Sequence, residues 1–267
     1  MQMAVKKSIR FFFMNLICNI KKSTKYKVNF IVETLFMMIN NSTFLVFWAI
    51  IISKSGGSVG DVTLNDIMYL WSISTISYGV AYFFFEGVCD INKLIVNGVL
   101  DTYLILPKHP LLLIATSKCR FSACGDIIYG IILLVIATKC NMLKALLGIV
   151  FGTMGAIVYV GMEIILRSLS VFLGDTEDIS KRYIYNLVLN FSTYPEQIYS
   201  KALKFLLYTV IPSAYISFIP IKLTQEFNTW LFLIFVFALS IISILALVTF
   251  NYAIKHYESG NTMMLKE

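Results

Sequence analysis

Charge is scarce in this chain. Asp, Glu, Lys and Arg make up 14% of its 267 residues, where a soluble domain carries about a quarter. That shortage leaves too few charges to cover a water-soluble fold and excludes a sizeable soluble domain. Histidine is scarcer still: His109 and His256 stand far apart beside polar loops, and no His-Glu-x-x-His occurs. The five cysteines (Cys18, Cys89, Cys119, Cys124 and Cys140) show neither metal spacing nor a paired framework, so disulfides are not expected. Gly56, Gly57 and Gly60 form no phosphate cradle, because no strand precedes them and no Lys-Ser/Thr pair follows at the right spacing. No catalytic residue, bound cofactor or metal is expected in this chain. An intramembrane enzyme is disfavoured for the same reason.

What the chain has is apolar length. The apolar set accounts for 58% of the residues, and mean hydropathy is +0.78. Val28–Ile52 and Leu64–Phe85 each reach the ~20 residues needed to cross a bilayer. Phe121–Thr138 is slightly short and extends backwards through Leu111–Thr116. Ala145–Leu173 is long and is interrupted by Glu163 and Arg167. Trp230–Tyr252 is an uninterrupted last span. Between these two, Tyr183–Phe191 is too short to cross alone, and Phe205–Ile219 is broken by Pro212. The pair reads as a fifth span entering near Tyr183, followed by a helix that dips back. Irregular backbone at that depth requires shielding by protein or water. The expectation is an all-α integral membrane protein, one transmembrane domain over 1–267 with six transmembrane helices and a broken or re-entrant region at 183–220. No cleavable leader is expected at the N-terminus.

Basic residues orient these spans. Lys6, Lys7, Arg10, Lys21, Lys22, Lys25 and Lys27 precede the first span. Lys93, Lys108, Lys118 and Arg120 follow the second, Lys181 and Arg182 follow the fourth, and Lys255 and Lys266 lie in the tail. The opposite loops hold Lys54, then Lys139 and Lys144. Lys201, Lys204 and Lys222 run against the pattern without reversing it. Both termini are therefore expected in the cytoplasm of a multi-pass protein of the cell membrane. The net charge of +7 suits anionic lipid; nucleic acid binding is not expected, since no basic patch sits on a soluble fold. Within 1–27, Ile9, Phe12, Phe13, Leu16, Ile17 and Ile20 form a helical stripe, with Lys6, Lys7, Arg10 and Asn15 away from it. This predicts an amphipathic interfacial helix. It either anchors the first span or transmits movement of a cytoplasmic partner.

Segment 86–107 is a hydrophilic interruption between apolar runs. It carries Glu86, Asp90, Lys93 and Asp101, while Ile91, Leu94, Ile95 and Leu104 recur at helical spacing. An amphipathic helix outside the hydrocarbon is expected there. Ionisable groups remain inside the spans. Glu163 and Arg167 are four apart, so they share one helix face and read as a mutual ion pair, or as the lining of a pathway entrance. Glu33 and Asp126 lie near the inner boundary. Gly148, Gly152 and Ala156 form a small-xxx-small stripe alongside Gly155, which allows close helix approach and reads as packing within a protomer.

This order of elements, with two particular stretches, resembles the permease subunits of type-2 ABC transporters (the ABC-2 family), specifically the small six-span branch with a separately encoded ATPase. One stretch is Ile91 to Pro110, in which Gly98, then Leu100-Asp101, then a Leu-rich turn ending in Pro107 precede the third span. Lys108 departs from the small or apolar residue that relatives often carry there. The other is Tyr194-Pro195-Glu196-Gln197-Ile198-Tyr199, followed by Val210-Ile211-Pro212-Ser213-Ala214-Tyr215 and Pro220. The resemblance implies a coupling helix within 86–110 that rests in a groove of a P-loop ATPase. Two copies of that ATPase, with ATP and Mg bound there, would serve two permease subunits, identical or homologous. Glu86, Asp90, Lys93, Leu94, Gly98, Asp101, Leu104 and Pro107 would be the coupling residues. Family members mostly export drugs, peptides, polysaccharides or lipids. The runner-up is a membrane sensor or receptor that docks a cytoplasmic regulatory partner and moves nothing.

Overall fold

The structure, a computed structural model, describes residues 2–24, 27–59 and 62–258. Side chains of residues 2–9 and 22–24, and with them Lys6, Lys7, Ile9 and Lys22, fall outside this set; Lys25, Gly60 and Lys266 lie outside the described residues altogether. Among the described residues every regular element is helical, apart from one bridge between Val59 and Val62.

Four helices are long and apolar enough to cross a membrane: α2 (Lys27–Lys54), α3 (Leu64–Phe85, running on to Val96), α8 (Met142–Ser168, continuing to Leu173) and α14 (Thr229–Lys255). Their precursor α1 (Gln2–Thr24) is the basic N-terminal helix. Between α3 and α8 come three short helices, α4 (Ile91–Val96), α5 (Asp101–Leu104) and α6 (Pro110–Ala115), then α7 (Ala123–Ala137), which is apolar but shorter than a span. After α8 lie α9 (Ser170–Leu173), α10 (Glu177–Arg182) and α11 (Asn190–Thr193), the last two joined by a π-helical turn over Tyr183–Leu189. The helix thus begins at Glu177, before the expected Tyr183. Finally α12 (Lys201–Thr209) and α13 (Phe218–Gln225) precede α14 and bend by 69° across Pro212. Counting that bent pair as one span gives five; the expected six is not reached by length and apolarity alone.

α3 is the centre. Of its apolar window 72% is buried, against 17% for α2 and 22% for α14. It packs against α7 and α8, while α14 lies on the far side of α8. Thr63 caps α3 in a reciprocal box with Asp66. The hydroxyls of Ser72, Thr75 and Ser77 donate to carbonyls one turn back, which satisfies them without water. Ser77 also donates to the Gly152 carbonyl at 2.8 Å, and Ser74 to that of Ser192 at 2.9 Å, tying α3 to α8 and to α11. The small-residue stripe of α8 serves this packing: Gly148 meets Leu134, Gly152 meets Ile76 and Gly155 meets Ser77.

α1 meets the bundle through both amides and an aromatic ring. Asn15 donates to the Thr116 hydroxyl at 3.0 Å, and Asn19 to the Thr116 carbonyl at 3.3 Å, while the Phe12 ring lies 6.1 Å from that of Phe84 and 5.9 Å from that of Phe85. Phe13, Ile17 and Ile20 point outward.

Candidate functional site

α3 does not stop at the end of its apolar run. A 3-10 turn over Glu86–Asp90 carries it into α4. Gly87 is required there, because a Cβ would stand 1.9 Å from the Ile114 carbonyl oxygen of α6. At the end of α4 the chain reverses at Gly98, whose φ of 68° falls in the left-handed region, and the Leu100 amide donates back to the Leu94 carbonyl at 3.0 Å. The expected amphipathic helix is therefore a helical hairpin, α4 and α5, folded about Asn97-Gly98. Ile91, Ile95 and Leu100 are buried with Leu111, Ile114 and Phe250 of α14, and Leu94 and Leu104 pack partly against the same cluster. Apolar residues at the turn and just past α5 face away: Val99 is exposed in the turn, and after α5 Ile105, Leu106 and Pro107 are exposed, Ile105 to 83%.

The charges of this segment meet partners within the chain. Arg120 binds Glu86 at 2.7 Å, Lys118 pairs with Asp90, and Lys93 reaches Glu177 of α10 at 3.2 Å. Glu177 also binds Lys181 at 2.6 Å. Hydrogen bonds from Lys181, then Lys93, hold the Glu177 carboxyl below its ordinary range, so both bridges persist into mild acid. The bond to Asp90 raises Lys118 above the ordinary lysine value. Burial, then the Asp101 carboxylate, raises the Tyr257 phenol of the tail above its ordinary value, and the Lys108 ammonium sits 4.0 Å from the Phe11 ring centre, so α1 also reaches this segment.

Beneath the hairpin runs a buried polar chain. The Tyr82 hydroxyl of α3 donates to Glu163 Oε1 at 2.9 Å, and Arg167 Nε donates to Glu163 Oε2 at 2.6 Å. Arg167 Nη1 then donates to Asn92 Oδ1 of α4 at 2.8 Å, and Asn92 Nδ2 donates to Asp175 Oδ1 at 3.0 Å. Asp175 Oδ1 accepts the Glu177 amide as well, at 2.9 Å. Glu163, Arg167 and Asn92 are almost wholly buried. A charge pair in this setting persists only when its remaining donors and acceptors are satisfied, and here each satisfying group comes from a different element. The pair four apart on α8 is thus the middle of a link from α3 to the hairpin. A second link runs beside it: Arg120 donates to the Tyr78 hydroxyl at 2.9 Å and lies over the Tyr82 ring at 4.5 Å.

The other two ionisable groups expected inside the spans stand apart from this chain. Glu33 lies on the exposed side of α2, accepting from Asn29 at 2.6 Å. Asp126 is buried in α7, where Asn41 Nδ2 donates to its Oδ1 at 2.7 Å. Sequence spacing does not single out Asn92, Arg120, Tyr82 or Asp175, because their partners lie far along the chain. Asn92 alone leaves a trace, an amide on the apolar side of α4 between Ile91 and Ile95. Among the described residues no group of three or more His, Cys, Asp or Glu is placed to hold a metal ion.

Comparison with known families adds one finding. A family model described as ABC-2 family transporter protein matches residues 38–261, which runs from within α2 through the hairpin and the polar chain to the end of α14. No curated protein and no solved structure matches the chain.

Proposed function

The chain belongs to the ABC-2 family of transporters, and on that premise we propose that it is the permease subunit of an ATP-binding cassette exporter whose ATP is hydrolysed by a separate subunit. One observation supports this above others: a hairpin that leaves apolar residues exposed at its turn and just past α5 is joined, through buried Asn92, to a charge pair inside the bundle. Apolar residues left outside a satisfied fold are suited to a partner. A push on these residues would travel through Asn92 and Arg167 to α8 and α3, since a fully satisfied buried polar network is rigid.

In this reading two ATPase copies, with their ATP and Mg, close beneath two permease subunits, identical or homologous. The docking surface centres on Val99, Ile105, Leu106 and Pro107. Glu86, Asp90 and Lys93 brace the hairpin through Arg120, Lys118 and Glu177. α2, α3, α7, α8, the helix from Glu177 to Thr193, and α14 serve as six spans, with α12 and α13 dipping back from the outer side. The hairpin and both termini face the cytoplasm, in line with the lysine and arginine bias.

The test is co-purification of a P-loop ATPase from detergent-solubilised membranes. Wild type should retain the ATPase, and the doublet Ile105→Asp with Leu106→Asp should lose most of it while keeping the wild-type melting temperature. If no ATPase accompanies wild type even after mild cross-linking, the separate-ATPase reading fails and a docking sensor takes its place.

A further inference from the structure

Away from the hairpin, a cavity of about 220 Å³ lies between α2, α3, α7 and the π-helical turn, lined by Asn41, Trp71, Thr75, Tyr78, Asp126 and Tyr185 among others. Asp126 is 2% exposed. One of its oxygens takes the Asn41 amide, and the other, Oδ2, is buried with no hydrogen-bond partner among the described residues. Trp71 Nε1, on the same wall, is likewise buried without one. A cavity inside a helix bundle thus holds a spare anionic acceptor and a spare donor.

Leaving a buried carboxylate oxygen unmatched is costly, and more so away from water. The walls favour an organic cation as its match. They bring a single carboxylate together with aromatic side chains, which attract cations through their ring faces. A hard metal ion would need several oxygen ligands, whereas the Ser74 and Thr75 hydroxyls are engaged with backbone carbonyls. Arg120 makes no hydrogen bond to Asp126: its guanidinium binds Glu86 at 2.7 Å and donates to the Tyr78 hydroxyl at 2.9 Å. The π-helical turn contributes Tyr185 and Leu189 to the wall, and such turns recur at functional positions.

We propose that this cavity binds a small organic ammonium, whose nitrogen donates to Asp126 Oδ2 while its apolar body packs among Trp71, Tyr78 and Tyr185. A hydroxyl or carbonyl beside the amine would meet Trp71 Nε1. The site is complete within one chain and needs no ATPase, so its failure and that of the docking reading are separable.

The test is isothermal titration of the purified full chain in nanodiscs with 2-phenylethylamine, using 2-phenylethanol as the neutral isostere. The amine should bind saturably and the alcohol should not. Asp126→Asn, which keeps an oxygen for Asn41, should weaken the amine by at least about tenfold, since it removes the charge the ammonium meets. Asn40→Trp, placed on the exposed side of α2 at the rim, should abolish binding by filling the cavity and covers the case in which Asp126→Asn does not fold. The proposal is overturned by wild type that does not bind the amine saturably, by alcohol that binds as well as amine, or by folded variants that bind like wild type.

Discussion

Arg167 joins the two halves of the polar chain. Its guanidinium binds Glu163 on its own helix and Asn92 on the hairpin, a fork that a lysine point charge does not reproduce. Removing one member of a buried pair leaves a charge with no match, which costs about 3–5 kcal/mol. Arg167→Met should therefore lower the melting temperature strongly, while the doublet Glu163→Gln with Arg167→Met should recover much of the loss. Thermal unfolding of the variants in one detergent checks this; a doublet no more stable than the single variant would show that the pair is not the cause. Asn92 has no charge, yet it holds the other end of the link, and no sequence motif marks it.

At the scale of elements, the hairpin depends on two glycines for different reasons. Gly98 supplies a left-handed turn, and adding a methyl group there costs about 1 kcal/mol. Gly87 supplies room: a Cβ would overlap the Ile114 carbonyl, and α6 would have to withdraw. Such overpacking costs about 1–3 kcal/mol. Gly87→Ala should thus melt lower than Gly98→Ala in the same detergent, and equal melting would mean that α6 moves aside freely. The π-helical turn is a second case of local sequence being insufficient. Tyr183–Leu189 has the composition of a short α-helix, yet it winds as a π-helix where Tyr185 and Leu189 line the cavity.

At the scale of the molecule, the two ends of the bundle differ in chemistry. The hairpin, the polar chain and the turn at Thr116–Arg120 share one end; the turn between α7 and α8, with Lys139 and Cys140 at positive φ, lies at the other. Two native cysteines report on them, since Cys18 and Cys140 are both exposed. In variants that retain one of the two, a membrane-impermeant maleimide should label Cys140 in intact cells and Cys18 only after permeabilisation. The opposite pattern would invert the proposed orientation. The exposed apolar faces of α2 and α14 need no further explanation than lipid, or a second permease subunit.

Much of the class was legible from sequence, because a bilayer imposes a length and an apolarity that composition displays directly. The long runs, the basic asymmetry and the pairing of Glu163 with Arg167 follow from spacing of 20 and of 4 residues along one chain. The family resemblance also stood on local strings around Gly98, Pro107 and Pro212. Tertiary structure alone decided the rest: that α1 shows its amides to the protein, that the interruption after α3 folds back on itself, and that Asn92, Arg120 and Asp175 complete buried charges. Those outcomes depend on contacts between residues 34 to 101 positions apart. Hydropathy records what each residue prefers on average, whereas a hydrogen bond across the bundle depends on which two helices happen to meet.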